Sequence, residues 1–388
     1  MEWVKLGEIA SLITKGTTPT TLGFDFVDEG INFIKIESIS EEGSFISNKF
    51  NHITSECDNK LSRSRLQKND LLFSIAGAIG RTAIVTDDIL PANTNQALAL
   101  IRIPEGVINY SYLKYVLQSS VVSDQFEKRK QGVAQLNISL KDVANFNIPL
   151  PSQAAQQMIV EILGGVEVII SLRKQQLAKL DELVKSRFVE MFGDPISNPK
   201  GWKTDTAEKH IDLLSGFPFD SSQYTESGVN ICGGLIIMPQ RIEWNDCKHW
   251  SSVEGYEEYT LKENDIVIAL DRPWISEGFK IAMVEAEYLP ALLIQRTARV
   301  RAISINQYYL MYCFLLGGFD KHCNVTGSLV PHISAKDIRS FQIMLPPSTL
   351  QEQFAAFVEQ TDKSKFAVQQ SIEKLETLKK SLMQQYFG

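Results

Sequence analysis

The sequence predicts an α+β protein made of two tandem domains of mixed α/β character, each followed by a long helix, with the two helices paired as an intramolecular antiparallel coiled coil. Three observations predict it. An ordered internal repeat of about 195 residues runs through the chain, a period too long for a solenoid and suited to a duplicated domain plus connector. Leu66-Gln67-Lys68-Asn69-Asp70 meets Leu261-Lys262-Glu263-Asn264-Asp265, and Ile138-Ser139-Leu140-Lys141-Asp142 meets Ile333-Ser334-Ala335-Lys336-Asp337. Phe146 to Pro151 then meets Phe341 to Pro346, while Gln96 pairs with Gln295 and Trp3 with Trp202 at slightly longer offsets. The second observation is a seven-residue apolar track that closes each repeat. The third is the alternation, inside each repeat, of short apolar runs with turn clusters.

The elements follow in order. Residues 1–151 form the first domain, in which Asp70 to Ile75 and Gln96 to Ile101 read as strands and Tyr112 to Gln118 as a helix. Residues 152–193 form the first connector: Leu163, Ile170, Leu177, Val184 and Met191 recur every seven residues, flanked by Ile159, Val166 and Leu180. Gly164-Gly165 marks a kink or a close backbone approach, and Gly193 stops the helix. Residues 194–347 repeat the domain, with strands at Asp265 to Leu270 and Thr297 to Arg301 and a helix at Tyr308 to Leu316. Residues 348–388 repeat the connector, with Phe354, Thr361, Val368, Leu375 and Leu382 on its track and a capping-box pattern from Ser348 to Gln351. A seven-residue track on a helix of this length is a coiled-coil seam, and each helix is the other's nearest partner. At about 1.5 Å per residue, such helices extend roughly 60 Å.

Composition bounds the function. The chain has 388 residues, 39 basic and 46 acidic, for a net charge of −7. This removes the simplest argument for nucleic-acid binding, a strongly basic chain, and leaves only local patches to do it. The acidity is uneven: −2 for residues 1–151, −5 for residues 194–347 and zero for each connector. The amino terminus lacks a signal-peptide pattern and no uncharged apolar run reaches the length of a membrane span, so a cytoplasmic protein is expected. Five scattered cysteines without a C-x-x-C pair fit reduced thiols.

No catalytic motif is legible. Gly77-Ala78-Ile79-Gly80-Arg81-Thr82 is glycine-rich but has the wrong spacing for a phosphate loop and no lysine, and Asn198-Pro199-Lys200 lacks the second proline and aromatic of an adenine-methylating motif. The histidines stand nowhere at metal-ligand spacing, so no metal is expected.

The run Asn69 to Ser74, then Gly77-Ala78-Ile79-Gly80-Arg81, Asn95-Gln96, Gly132, Ile138-Ser139, Asp142, Pro149-Leu150-Pro151 and Gln156-Gln157 resembles the target-recognition domain of type I restriction-modification specificity subunits. The second copy is similar through Asn264 to Val267, Asp271-Arg272-Pro273, Gln295-Arg296, Gly327, Ile333-Ser334, Asp337 and Glu352-Gln353, but has Ala269 to Trp274 where the first has its glycine-rich loop. The resemblance implies a non-catalytic subunit whose two domains each read half of a bipartite, asymmetric site in double-stranded DNA. It further implies that two adenine methyltransferase subunits dock on the helices. It leaves room for two motor-nuclease subunits, with S-adenosylmethionine, ATP and Mg bound on partners and no cofactor on this chain. A coiled-coil scaffold whose paired domains bind protein or another ligand is the alternative reading.

Candidate DNA contacts in the first domain are Arg63, Arg65 and Lys68, Arg81 after the glycine-rich turn, and the cluster Lys128-Arg129-Lys130-Gln131. In the second domain they are Arg272, Arg296, Lys321 and His322. Arg299 and Arg301 alternate with apolar neighbours, which places them on one exposed strand face. Gln96 and Gln295 recur in both halves, which favours a structural hydrogen bond over base reading. Phe188, Phe192 and Phe366 are candidates for docking a partner subunit, and aromatics such as Phe217, Trp250 and Trp274 for core packing or for supporting an extruded base.

Overall fold

The computed structural model describes residues 2–127, 137–323 and 332–388, and divides into two compact units: residues 1–174 with 370–388, and residues 175–369. The units share one plan. In the first, a four-stranded antiparallel sheet runs in the order Leu12–Lys15, Leu98–Arg102, Leu71–Ser74, Thr82–Ile84. A three-stranded sheet, Asn51–Ile53, Ile31–Ile34, Ala92–Thr94, is antiparallel at its first pair and parallel at its second. In the second unit the order Ile211–Ser215, Thr297–Ala302, Ile266–Ala269, Ile281–Met283 reproduces the larger sheet, and Lys248–Trp250, Val229–Cys232, Ala291–Leu293 the smaller. The second unit adds two short hairpins, Ile237–Met238 with Arg241–Ile242 and Trp274–Ile275 with Gly278–Phe279.

The repeated motifs now have physical causes. Asn69 and Asn264 adopt left-handed backbone, φ 68° and 65°, which asparagine tolerates better than most residues. The following aspartates, Asp70 and Asp265, are almost fully buried, and each accepts a backbone N–H three residues back at 2.7 Å. Each also takes two guanidinium bonds: Arg102 reaches Asp70 at 2.7 Å through both Nε and Nη2, and Arg301 reaches Asp265 at 2.5 and 2.7 Å. A buried carboxylate needs this degree of satisfaction. Ser139 with Asp142 and Ser334 with Asp337 form reciprocal capping boxes. Tyr112 donates to the Pro149 carbonyl at 3.1 Å and Tyr309 to the Met344 carbonyl at 3.0 Å.

The long helices span Gln153–Phe192 and Ser348–Phe387. They pack together in opposite directions. In the first unit, Ile159 and Leu163 share a core with Leu382, Met383 and Phe387; in the second, Val184, Phe188 and Phe192 share one with Phe354 and Val358. Ile170, Val368 and Ile372 are buried on the expected tracks, and the buried Thr361 hydroxyl donates to the Phe357 carbonyl at 2.8 Å. Lys379–Glu167 at 2.7 Å within one unit and Lys365–Asp181 at 2.7 Å within the other bridge the pair.

Three details differ from the expectations. Of the two alternatives for Gly164-Gly165, the close backbone approach is absent: a Cβ at Gly164 would meet only the Tyr115 hydroxyl, at 3.8 Å, and one at Gly165 nothing, within an unbroken helix. Gln351 does not close a capping box: its side chain accepts from Asn306 N–H at 2.8 Å and donates to the Pro346 carbonyl at 2.8 Å. Gln156 does the same with Asn109 and Pro151, so the repeat aligns Gln156 with Gln351. The first long helix also carries an 18-residue window of mean hydropathy 1.5, apolar and long enough by composition for a membrane span, which the charge count alone passes over.

Replacing Asp265 by Ala strands the Arg301 guanidinium and an N–H of the turn, and is expected to destabilise the protein by about 3 kcal/mol. Asp70→Ala should act similarly through Arg102. Denaturant unfolding of the two variants checks this; a loss below about 0.5 kcal/mol, the level of an ordinary surface change, would contradict it.

Candidate nucleic-acid interface

At one end of each larger sheet, the same set of backbone bonds gathers several loops. Ile75 N–H donates to the Ala97 carbonyl at 2.9 Å and Leu270 N–H to the Arg296 carbonyl at 2.9 Å. Ile138 N–H donates to Ile75 at 2.9 Å, and Ile333 N–H to Leu270 at 2.8 Å. Gly16 and Gly216 pass so close to the adjoining chain that a Cβ would lie 1.6 Å from the Thr94 carbonyl oxygen and 1.9 Å from that of Ile294. Glycine is obligatory at both. The described chain resumes beside this end at Asn137 and at His332; the candidates Lys128, Arg129, Lys130 and Gln131 lie outside the described residues.

The described candidates divide by how they are held. Arg81 is committed inward: its Nη1 donates to the Ile39 carbonyl at 2.8 Å and to Ile36 at 3.3 Å, with Glu41 at 3.8 Å. Arg65 donates from Nε to the buried Asp58 at 2.5 Å and from Nη2 to Asn59, and Asp58 also accepts from Asn93. His322 is wedged between the Asp337 carbonyl at 3.1 Å and the Ser340 hydroxyl at 3.0 Å, with its ring stacked on Phe319. These three hold the local structure together. Arg63 lends one bond to the Lys15 carbonyl at 3.3 Å, and Lys68 pairs with Asp87 on the surface. Arg272, Arg296 and Lys321 are exposed. Arg272 and Arg296 both sit at positive φ, 45° and 64°, and Arg296 lies 3.2 Å from Asp271. Beneath them Lys280 is buried, its Nζ donating to the Gly234 carbonyl; burial, with Arg272 nearby, lowers its pKa.

Several expectations are corrected by burial. Phe188 and Phe192 are fully buried, packed on Tyr309 at 5.5 and 4.8 Å and on Phe354 at 5.4 and 5.6 Å, so neither is presented to a partner. Phe366 is 61% exposed. Arg299 is buried against Asp212 at 2.5 Å and Arg301 is spent on Asp265, so that strand face is not solvated. Gln96 accepts from the Thr18 hydroxyl at 2.5 Å. Phe217, Phe219, Trp250 and Tyr256 pack on one another, and Trp274 stacks on Phe279 at 5.0 Å.

Two features escaped the sequence. Asp271 looks like an ordinary turn residue until His332 and Arg296 are seen on its two oxygens. The other is an exposed apolar stripe on the first long helix, Met158, Ile162, Ile169 and Leu172. Its own four-three-four-three spacing through Gly165 was the available signal.

The type I restriction modification DNA specificity domain matches this chain over residues 1–182 and again over 243–379, which takes in most of both repeats. The chain belongs to that family. The specificity subunit of the type I restriction enzyme MjaVIII of Methanocaldococcus jannaschii is 23% identical over 98% of this chain and 91% of its own length. The EcoAI specificity subunit of Escherichia coli is 30% identical across 47% of this chain, a match spanning only 32% of that protein, and the EcoBI specificity subunit 33% identical across 50% of this chain and 40% of its own. In fold, the chain is similar to a subunit from a study of assembly and conformational transition of the type I R-M system, with TM-score 0.58, 18% identity and coverage of 100% of this chain and 97% of that one. It is also similar to the S subunit of a type I restriction-modification system of M. genitalium, with TM-score 0.52, 14% identity and coverage of 100% and 96%.

Arg65→Ala and Arg81→Ala each remove bonds to buried or backbone acceptors and are expected to cost about 1–3 kcal/mol. Arg63→Ala and Lys321→Ala should stay within about 0.5 kcal/mol. Chemical unfolding of the four variants side by side tests this division; equal losses in all four would contradict it.

Proposed function

We propose that the chain is the non-catalytic specificity subunit of a type I restriction-modification complex. Each domain reads one half of a bipartite, asymmetric duplex site. The functional divisions are 1–151 and 194–347 for reading, and 152–193 with 348–388 for spacing. The observation that carries this is the duplicated loop-bearing corner: identical backbone bonds in both repeats support different side chains, as expected of one scaffold reading two different sequences. Bases presented to one face of DNA recur about every 34 Å, so two readers imply an unread spacer between the half-sites.

Two adenine methyltransferase subunits dock on the helix pair, and motor-nuclease subunits complete the restricting form, all acting on DNA in the cytoplasm. S-adenosylmethionine, ATP and Mg belong to those partners. The stripe Met158, Ile162, Ile169 and Leu172 supports partner docking, since an apolar seam of this kind on a helix ordinarily finds a covering surface. The scaffold alternative is not favoured, because the matched family is one of DNA specificity.

With domains of net charge −2 and −5, the isolated chain should bind DNA weakly and gain phosphate affinity from its partners. Fluorescence titration of duplex DNA with the purified chain, alone and with its cognate methyltransferase, tests the function. Sequence-selective, salt-sensitive binding that strengthens with the partner is expected. Absence of selectivity in both conditions would overturn the reading.

A further inference from the structure

The two repeats can be superposed residue by residue at the loop-bearing corner, because the same backbone bonds recur there. Ile75 and Leu270 each donate to the turn residue, Ala97 or Arg296, and each accepts from the returning chain, Ile138 or Ile333. The neighbours of these anchors are therefore equivalent. Where the first repeat has Ala76, Ala97 and Asn137, the second has Asp271, Arg296 and His332. The scaffold is held constant and its side chains change from small or neutral to a linked ionic group.

That group has an internal order. His332 Nδ1 lies 2.6 Å from Asp271 Oδ1, and Arg296 Nη1 lies 3.2 Å from Asp271 Oδ2, so one carboxylate orients both neighbours. Asp271 and His332 also form an isolated backbone bridge, which holds their main chains side by side. Arg296 remains 73% exposed and occupies left-handed backbone, φ 64°, a conformation disfavoured for a long side chain. An exposed arginine kept there and braced by a carboxylate is poorly explained as packing. The contact uses Nη1 alone and leaves the Nε and Nη2 donors, a parallel pair of the kind that matches O6 and N7 of guanine. A phosphate contact would profit from net positive charge; the carboxylate beside Arg296 weakens that and strengthens orientation instead.

We propose that Arg296 reads a guanine in the half-site of the second domain, and that Asp271, held by His332, is its positioning residue. The first domain, with Ala97 and Ala76 at the equivalent places, has no such reader at this corner. This assignment rests on the DNA-reading function proposed above and names the base class for one of its contacts.

The test is selection of bound duplexes from a randomised library by the chain in complex with its cognate methyltransferase, comparing the unaltered protein with Arg296→Lys, Arg296→Ala and Asp271→Asn. At one position of one half-site, Arg296→Lys and Arg296→Ala should lower the preference for guanine by about 10- to 100-fold. Retained selectivity in the other half-site reports that the subunit is folded and assembled. Asp271→Asn should lower the same preference by a smaller factor without weakening binding to other sequences, since it frees the arginine from its brace and adds no negative charge. Unchanged selectivity in Arg296→Ala would overturn the assignment. So would a uniform loss of affinity with a salt slope smaller by about 1, the signature of a phosphate contact. If the unaltered complex selects no sequence at all, the DNA-reading function itself fails, and this assignment with it.

Discussion

Everything in the structure depends on how two forty-residue helices cover their apolar tracks. Neither can leave a seven-residue seam in water, and neither is satisfied by the other alone. The start of one helix and the end of the other complete the core of the first unit, while the remaining ends complete the second. Leu163 and Phe387 lie in the same buried cluster as Tyr112 and Ile148; Phe188, Phe192 and Phe354 lie with Tyr309 and Ile343. The connectors are consequently part of each domain's interior, and Gln156 and Gln351 fasten the helix starts by accepting from the backbone N–H groups of Asn109 and Asn306. A helix pair built this way cannot be altered without disturbing the cores it completes.

The duplication separates what the fold needs from what the function varies. The αL asparagine, the buried aspartate with its arginine, the serine capping boxes and the tyrosine-to-carbonyl bonds recur because each satisfies a backbone or charge requirement common to both domains. The corner formed by Ile75 and Ala97, or Leu270 and Arg296, recurs in backbone only. Side chains there carry no shared structural duty and are free to differ, as the proposed reading of two unlike half-sites requires.

Much of this was legible because it is periodic or repeated. The seven-residue tracks marked both helices and the flanking proline-serine and glycine signals set their bounds to within a residue or two, while the matched Asn-Asp and Ile-Ser-x-x-Asp motifs announced the duplication. What was not legible depended on partners distant in sequence. Arg299 and Arg301 alternate with apolar residues as a solvated face would, and only Asp212 and Asp265 reveal the first as buried and the second as half-buried and committed to an ion pair. Phe188 and Phe192 stand just off the heptad positions, where a paired helix alone would leave them exposed; the domain core behind the helix takes them in. Arg81 looks like part of a cationic patch because its acceptors, the carbonyls of Ile36 and Ile39, lie far earlier in the chain; Arg65 does so although its acceptor Asp58 is near in sequence, because only the fold turns that helical carboxylate toward it.

The central claim is that two unlike domains on a shared helical spacer read two unlike half-sites for a modifying partner. Methylome sequencing of cells carrying the complete complex, with and without this chain, tests it most directly. Methylated adenines are expected in a motif of two different short sequences separated by a fixed stretch of unspecified bases, all lost when the chain is removed. A continuous motif, two identical half-sites, or methylation that persists without the chain would contradict it.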